Sequence, residues 1–237
     1  MRPPDAAFAD PRLAPLYDIF DDDRRDLDVY AALAAELGAR SVLDVGCGTG
    51  SFAVLLAASG FDVVGVDPAA ASLEVARGKH GADRVRWLEG DATTLPPLAM
   101  DLATMTGNVA QAIVDPGDWH GTLHGIHAAL RPGGTLVFET RDPSRRGWEE
   151  WTCERTHRVV DGVECWTELT EVALPLVSFR TTFVLASGEV VTSDSTLRFR
   201  NRDEVEADLA DHGYELLDVR DAPDRPEREL VFLTQRP

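Results

Sequence analysis

Residues 42–50, Val42-Leu43-Asp44-Val45-Gly46-Cys47-Gly48-Thr49-Gly50, constrain the fold more than any other stretch of the chain. A β-branched and aliphatic run closes into a turn with glycine at every second position. Ser51 to Ala58 then reads as a helix, so the order is strand, glycine loop, helix. Glycine is needed where the backbone takes positive φ, or where a ligand must lie against the main chain with no Cβ between them. Such a loop also aims the unpaired N–H groups of the following helix at whatever binds there.

The spacing decides which ligand. A dinucleotide fingerprint has its third glycine three residues after the second, but position 51 is Ser51 and the third glycine comes at Gly50. That spacing argues against a nicotinamide-dependent oxidoreductase. Read with Val42 and Leu43 before it, the pattern D-x-G-x-G-x-G closely resembles the first motif of class I S-adenosylmethionine (SAM) dependent methyltransferases. The resemblance implies SAM as cofactor, S-adenosylhomocysteine (SAH) as product, and Asp44, Gly46, Cys47, Gly48 and Gly50 as part of the cofactor site.

The chain downstream extends it. Asp62 to Val66 reads as the second strand, and Asp67 at its end follows Asp44 by 23 residues. In a doubly wound sheet an acidic residue there reaches the two ribose hydroxyls of a nucleoside lying over the glycine loop, since a carboxylate accepts from both. Pro68 suits the first turn of a helix running through Arg77. Val85 to Leu88 is a third strand, followed by Gly90-Asp91-Ala92. In the family an acidic residue here accepts from the adenine amino group and the next backbone N–H meets a ring nitrogen, which assigns those parts to Asp91 and Ala92. The fourth strand, Asp101 to Met105, leads into Thr106, Gly107 and Asn108, expected at the methionine end of the cofactor. Leu130-Arg131-Pro132-Gly133-Gly134 before a fifth strand, Thr135 to Glu139, again resembles the family.

Other features narrow the reaction. The segment after strand four is neither the Asn-Pro-Pro-aromatic signature of DNA amino-methyltransferases nor the Pro-Cys of cytosine C5 enzymes. The acidic cluster of magnesium-dependent catechol-type enzymes is missing, so no metal is expected. His120, His124 and His127 form a stripe on the helix Trp119 to Leu130, but with no acidic or cysteine partner in view they read as a solvated face. A formal charge of −18, from 41 acidic and 23 basic residues, repels phosphate backbones and anionic membranes, so nucleic acid is not an expected partner. The sequence shows neither an apolar stretch of membrane-spanning length nor a signal peptide, so a cytoplasmic protein with no membrane partner is expected. Cys47, Cys153 and Cys165 cannot all pair, and a turn at Asp161-Gly162 would hold Cys165 opposite Arg158, far from Cys153.

Five strands alternating with helices predict an α/β fold, a Rossmann-like doubly wound seven-stranded mostly parallel sheet. The chain then changes character. Runs at 155–160, 163–174, 177–186 and 189–200 read as an antiparallel β-meander inserted after strand five. Phe179, Thr181, Phe183 and Leu185 alternate with Ser178, Arg180, Thr182 and Val184, giving one apolar and one polar face. The apolar face either covers the active site or pairs with a second copy of the chain as a homodimer. A helix from Arg202 to His212 and strands Tyr214 to Val219 and Glu229 to Thr234 complete the sheet, the last strand antiparallel. The expected division is a cap segment and helix at 1–40, a SAM-binding methyltransferase domain at 41–141 and 201–237, and an inserted substrate or dimerisation subdomain at 142–200.

Residues 1–12, rich in proline and alanine, are expected to be mobile. In similar methyltransferases the N-terminal segment folds over the cofactor and a tyrosine such as Tyr17 touches it. Substrate-side candidates are Gln111, Glu139, Arg141, Trp148 and Trp151, and Arg141, Arg145 and Arg146 could attract an anionic small molecule. The expected activity is methyl transfer from SAM to a small-molecule acceptor, at N or O. The alternative is a SAM-binding sensor or scaffold without transfer, since fold and cofactor site do not prove chemistry.

Overall fold

The computed structural model describes residues 2–21, 24–222 and 225–237; Met1, which belongs to the N-terminal stretch discussed above, lies outside them. Seven strands form the main sheet: β1 (Ser41–Val45), β2 (Asp62–Asp67), β3 (Val85–Glu89), β4 (Met100–Met105), β5 (Leu130–Arg141), β10 (Glu215–Asp221) and β11 (Glu229–Gln235). Their order is β10-β11-β5-β4-β1-β2-β3. All neighbours are parallel except β11, which runs against both β5 and β10. From β1 the chain winds outward to β2 and β3, then returns to place β4 on the other side. Beyond the carboxyl ends of β1 and β4 this reversal opens a crevice.

The central strands β1, β2, β4, β5 and β11 are largely buried on both faces, which is why they read as near-continuous apolar runs, whereas the edge strand β10 is exposed. Leu43, Ala103, Leu136, Phe138 and Phe232 pack against α7 (Pro116–Ala129) and α9 (Arg202–Asp211) on one face. Val42, Leu102, Val137 and Val231 pack against α3 (Arg25–Glu36) and α4 (Ser51–Ala58) on the other. Phe138 and Phe232 stand opposite in register and stack at 5.2 Å, and Trp119 meets Phe138 edge-on at 5.8 Å. Each such buried side chain contributes about 1.5–3 kcal/mol of hydrophobic stabilisation.

Several element bounds differ from the sequence reading for identifiable reasons. The helix after Pro68 is α5 (Ala70–Gly78), because Ala69 N–H is taken by the Asp67 carboxylate at 2.8 Å. α7 starts three residues early, where Asp115 accepts from Gly117 and Asp118 N–H, with Pro116 at the first helical position. β5 begins at Leu130 and pairs there with Met100, a register irregularity carrying the Pro-Gly-Gly segment.

The second sheet has the order β6-β7-β8-β9, all antiparallel, over β6 (Arg158–Val160), β7 (Val163–Ala173), β8 (Leu176–Val184) and β9 (Val190–Arg198). Asp161 and Gly162 both take positive φ, the two-residue turn that matches strand twist, and Cys165 does stand opposite Arg158. β6 starts later than the sequence suggests because Thr152 caps a one-turn helix, Cys153–Thr156. The apolar face of β8 turns inward: Phe183 packs with Leu13 and Leu16, and Val177 with Trp148 and Phe199.

The described part of the N-terminal stretch, for which mobility was expected, is packed in this structure. Its short helices α1 (Ala6–Ala9) and α2 (Leu16–Phe20) form a strap between the two sheets. Ala7 N–H donates to Ser193 Oγ on β9 at 2.9 Å, and Ser72 Oγ on α5 donates to Phe8 O at 2.9 Å. The segment stays down through these backbone contacts and through Leu13 and Leu16.

Candidate functional site

A cavity of about 470 Å³ lies where the crevice of the main sheet, the strap and the meander meet. Its floor is the glycine loop. Gly46 and Cys47 N–H both donate to Val66 O, at 2.8 and 3.1 Å, tying the loop to β2. The three glycines serve different ends. A Cβ on Gly46 would lie 2.6 Å from Val109, and one on Gly50 would lie 2.5 Å from Trp87. A Cβ on Gly48 would meet no protein atom within 4 Å, and Gly48 lines the cavity. Gly50, expected at the cofactor, does not line it; it is glycine because φ is +78° and Trp87 is in the way.

Three carboxylates rim this floor at the ends of three successive strands. Asp44 is 1% exposed; its Oδ1 accepts from Thr104 Oγ1 at 3.3 Å and its Oδ2 has no partner. Burial, and secondarily the charge of Asp67, pushes its carboxyl up to about 7. Asp67 accepts from Gly48 N–H at Oδ2 and from Ala69 N–H at Oδ1, both at 2.8 Å. Burial raises its pKa too, against those two bonds, and each oxygen keeps one lone pair. Asp91 Oδ1 accepts from Thr93 N–H at 2.8 Å, capping a 3₁₀ turn at Ala92–Thr94, while its Oδ2 has no protein donor among the described residues.

Pro68, Ala92, Thr106, Gly107 and Asn108 also line the cavity, as does Tyr17, whose hydroxyl approaches Gly107. Burial, reinforced by Asp21, pushes the Tyr17 phenol up to about 12, so it stays protonated at neutral pH. Asn108 holds φ +60°, strained for a non-glycine residue; its Nδ2 donates to Glu229 at 3.0 Å and its Oδ1 has no partner.

Of the five substrate-side candidates, only Arg141 lines the cavity. Glu139 is buried beneath the turn after β4, where it accepts from Gly107 N–H at 2.7 Å, from Asn108 N–H at 3.2 Å and from the Tyr30 hydroxyl. Gln111 is fully buried and accepts from Arg141 Nη1 at 3.0 Å. Trp148 packs edge-on against Phe199 at 4.6 Å. Trp151 meets Phe179 at 4.8 Å, with the Arg141 guanidinium 5.7 Å from its ring. These four shape the wall from behind. Arg145 and Arg146 lie outside the lining, ion-paired to Glu227 and Glu149.

The sequence reading left open whether the apolar face of β8 covers the active site or pairs with a second copy, and it missed the other residues that close the cavity. Phe179, Thr181 and Phe183 of β8 and Ser195 and Leu197 of β9 line it from above, and Phe8 of the strap joins them. The alternation along β8 was the available signal, but its direction was not. Asp18 is the other omission: it accepts from Thr49 Oγ1 at 2.6 Å and pairs with Lys79 at 2.6 Å, fastening the strap to the glycine loop. Among the described residues no group of three or more His, Cys, Asp or Glu converges as a metal site, and His120 stacks on His212 at 5.0 Å. No helix of the described residues is long and apolar enough to cross a membrane.

Comparison with known proteins gives the arrangement its context. Residues 42–134 match the family model described as a methyltransferase domain. The cypemycin N-terminal methyltransferase of a Streptomyces species is 35% identical over 109 residues, 46% of this chain and 44% of that one. The chain thus matches less than half the length of this curated relative. A SAM-dependent methyltransferase from Clostridium acetobutylicum superposes with a TM-score of 0.77 at 19% identity, covering 94% of this chain and 97% of the other. A SAM-bound amino pentose methyltransferase from Micromonospora echinaspora gives 0.68 at 21% identity, over 92% and 97%. At those identities the likeness is one of fold.

Proposed function

We propose that residues 42–134, which match the methyltransferase-domain model, form a class I SAM-dependent methyltransferase domain and that the protein transfers a methyl group from SAM to a small-molecule acceptor, at N or O. The observation that carries this reading is the Asp44 carboxylate, buried at the floor of the cavity with one oxygen unpartnered. A buried, unpaired carboxylate oxygen is unfavourable unless a cation or donor meets it, and the α-ammonium of the methionine moiety is such a group. The free lone pairs of Asp67 suit the two ribose hydroxyls, and the open side of Gly48 lets a ligand lie against the backbone. Asp91 Oδ2 is free for the adenine amino group, with Ala92 N–H beside it.

SAM, when bound, supplies a methyl already activated on a sulfonium. What the chain then contributes is position and the exclusion of water. The strap, pinned by Asp18 to Thr49 and Lys79, closes one side. β8 and β9 close another with Phe179, Phe183 and Leu197. In this reading the chain divides as a cap at 1–40, a methyltransferase domain at 41–141 and 201–237, and an acceptor-covering insert at 142–200. The unpaired cysteines Cys47, Cys153 and Cys165 support the cytoplasm as its compartment. A homodimer through the meander would use its outward surface, where Val159 and Val190 are exposed.

Calorimetric titration tests the cofactor site. SAM and SAH should bind at micromolar concentration, and Asp67→Asn should weaken both at least tenfold while the protein keeps its melting transition. Absence of binding, or affinity indifferent to Asp67, overturns the proposal. Conversion of SAM to SAH with an acceptor then separates a transferase from a protein that only binds SAM.

A further inference from the structure

The acceptor's chemical class is written into the part of the cavity away from the three carboxylates. β8 and β9 present Phe179, Phe183 and Leu197 there, with Thr181 and Ser195 between them. The strap adds Phe8 and Tyr17, whose rings lie 5.8 Å apart. Arg141 belongs to the same compartment, because Trp151 touches both the Arg141 guanidinium, at 5.7 Å, and Phe179, at 4.8 Å. Aromatic walls of this kind take a flat apolar body.

Arg141 is held ready for an anion. Gln111 accepts from its Nη1 at 3.0 Å, and Glu229 is ion-paired with its Nε at 3.6 Å without a hydrogen bond, so the pair leaves the Nη2 edge of the guanidinium uncovered. Glu229 Oε1 is already engaged by Arg225 at 2.8 Å and by Asn108 Nδ2 at 3.0 Å. Nη2 of Arg141 has no protein acceptor among the described residues, and the side chain is 27% exposed. Gln111 and Trp151 thus fix the plane of a guanidinium whose remaining edge is open. No histidine or glutamate lines the cavity among the described residues, so no side chain of those types stands ready to take a proton from an acceptor.

Resting on the SAM-dependent reading above, we propose that the acceptor is an aromatic anion, a carboxylate or an acidic phenol or enol, docked through Arg141 between the strap and β8 and methylated on the ionised oxygen. The step balances without a base. The oxygen's electron pair forms the new O–CH₃ bond, the S–CH₃ bond breaks with its pair staying on sulfur, and the anion and the sulfonium become a neutral ester or ether and a neutral thioether. No proton moves. Arg141 holds the anion whichever form of the cofactor is bound, and when SAM is present the opposite charges of oxygen and sulfonium meet in a water-poor cavity.

The test uses the full-length protein saturated with SAH, titrated with 2-naphthoate, its uncharged counterpart 2-naphthamide, and 4-nitrophenolate, followed by calorimetry. SAH affinity, measured first on every protein, reports the cofactor reading by itself; if SAH fails to bind, that reading falls rather than the acceptor assignment. With SAH bound, the naphthoate should bind at least tenfold more tightly than the amide, and Arg141→Met should remove that preference while leaving naphthamide affinity within twofold. With labelled SAM in place of SAH, the label should appear in methyl ester or methyl ether. Equal affinity for naphthoate and naphthamide, a preference that survives Arg141→Met, or no binding of either anion at millimolar concentration overturns the assignment. The comparison of acid with amide needs no variant, so it decides the matter even if Arg141→Met does not fold.

Discussion

At the scale of single residues, the Asp44 carboxyl is buried with one oxygen unpartnered. Its pKa rises from 3.8 to about 7, chiefly through burial, so between those pH values the folded protein holds a proton that the unfolded chain has released. Stability therefore falls as pH rises from about 4 to about 7, by roughly 4 kcal/mol in all, and stays reduced above that. Asp44→Asn should be more stable than the native protein at pH 8, with the gap narrowing at pH 5, as urea denaturation at the two pH values would measure. A gap that does not change with pH would remove burial as the cause. The same variant should bind SAM more weakly at pH 8, because it lacks the charge that an ammonium would meet. Asp44, Asp67 and Asp91 could be picked out of the sequence because each lies at or just beyond the carboxyl end of a strand of a recognisable βαβ series. Glu139 has the same sequence position relative to its strand, yet its side chain is claimed by the backbone N–H groups of Gly107 and Asn108, a pairing visible only when β4 and β5 are placed side by side.

Among the elements, the strap is the one whose motion would govern entry to the cavity. Asp18 accepts from Thr49 and Ser51 and pairs with Lys79, the only lysine in the chain, across partly exposed side chains. Partly exposed pairs contribute only about 0.2–1 kcal/mol, which is small for folding but enough to alter how often a strap opens. Asp18→Asn and Lys79→Met should each speed SAH dissociation about two- to fivefold in stopped-flow fluorescence. The double variant should be no faster than the faster single one. Additive effects would mean that the two residues do not act as one latch. No local pattern points to this pairing, since Asp18 and Lys79 are 61 residues apart and neither sits in a motif.

For the molecule as a whole, the two sheets have to be held in a fixed relation for the cavity to keep its shape, and Arg200 does much of this. It leaves the end of β9, is 3% exposed, and donates to Ala110 O at 2.9 Å and Ile113 O at 2.8 Å, with its guanidinium 4.3 Å from the Trp119 ring. Burial lowers its pKa to about 10, which leaves it charged at neutral pH. Arg200→Met would strip two buried carbonyls of their donor and should cost about 2–4 kcal/mol, read from the urea midpoint; a loss under 1 kcal/mol would show that the sheets are fastened elsewhere. By itself the sequence determined the parallel sheet, the glycine loop and the carboxylates after β1, β2 and β3, because each is set by local periodicity, turn chemistry and short βα spacing. Only the tertiary structure decided which way the apolar face of β8 points, that Trp148, Trp151, Gln111 and Glu139 stand behind the wall while Arg141 stands in it, and that the N-terminal residues form a roof. Those outcomes depend on strand register and on contacts between segments far apart in the chain, and no local pattern encodes either.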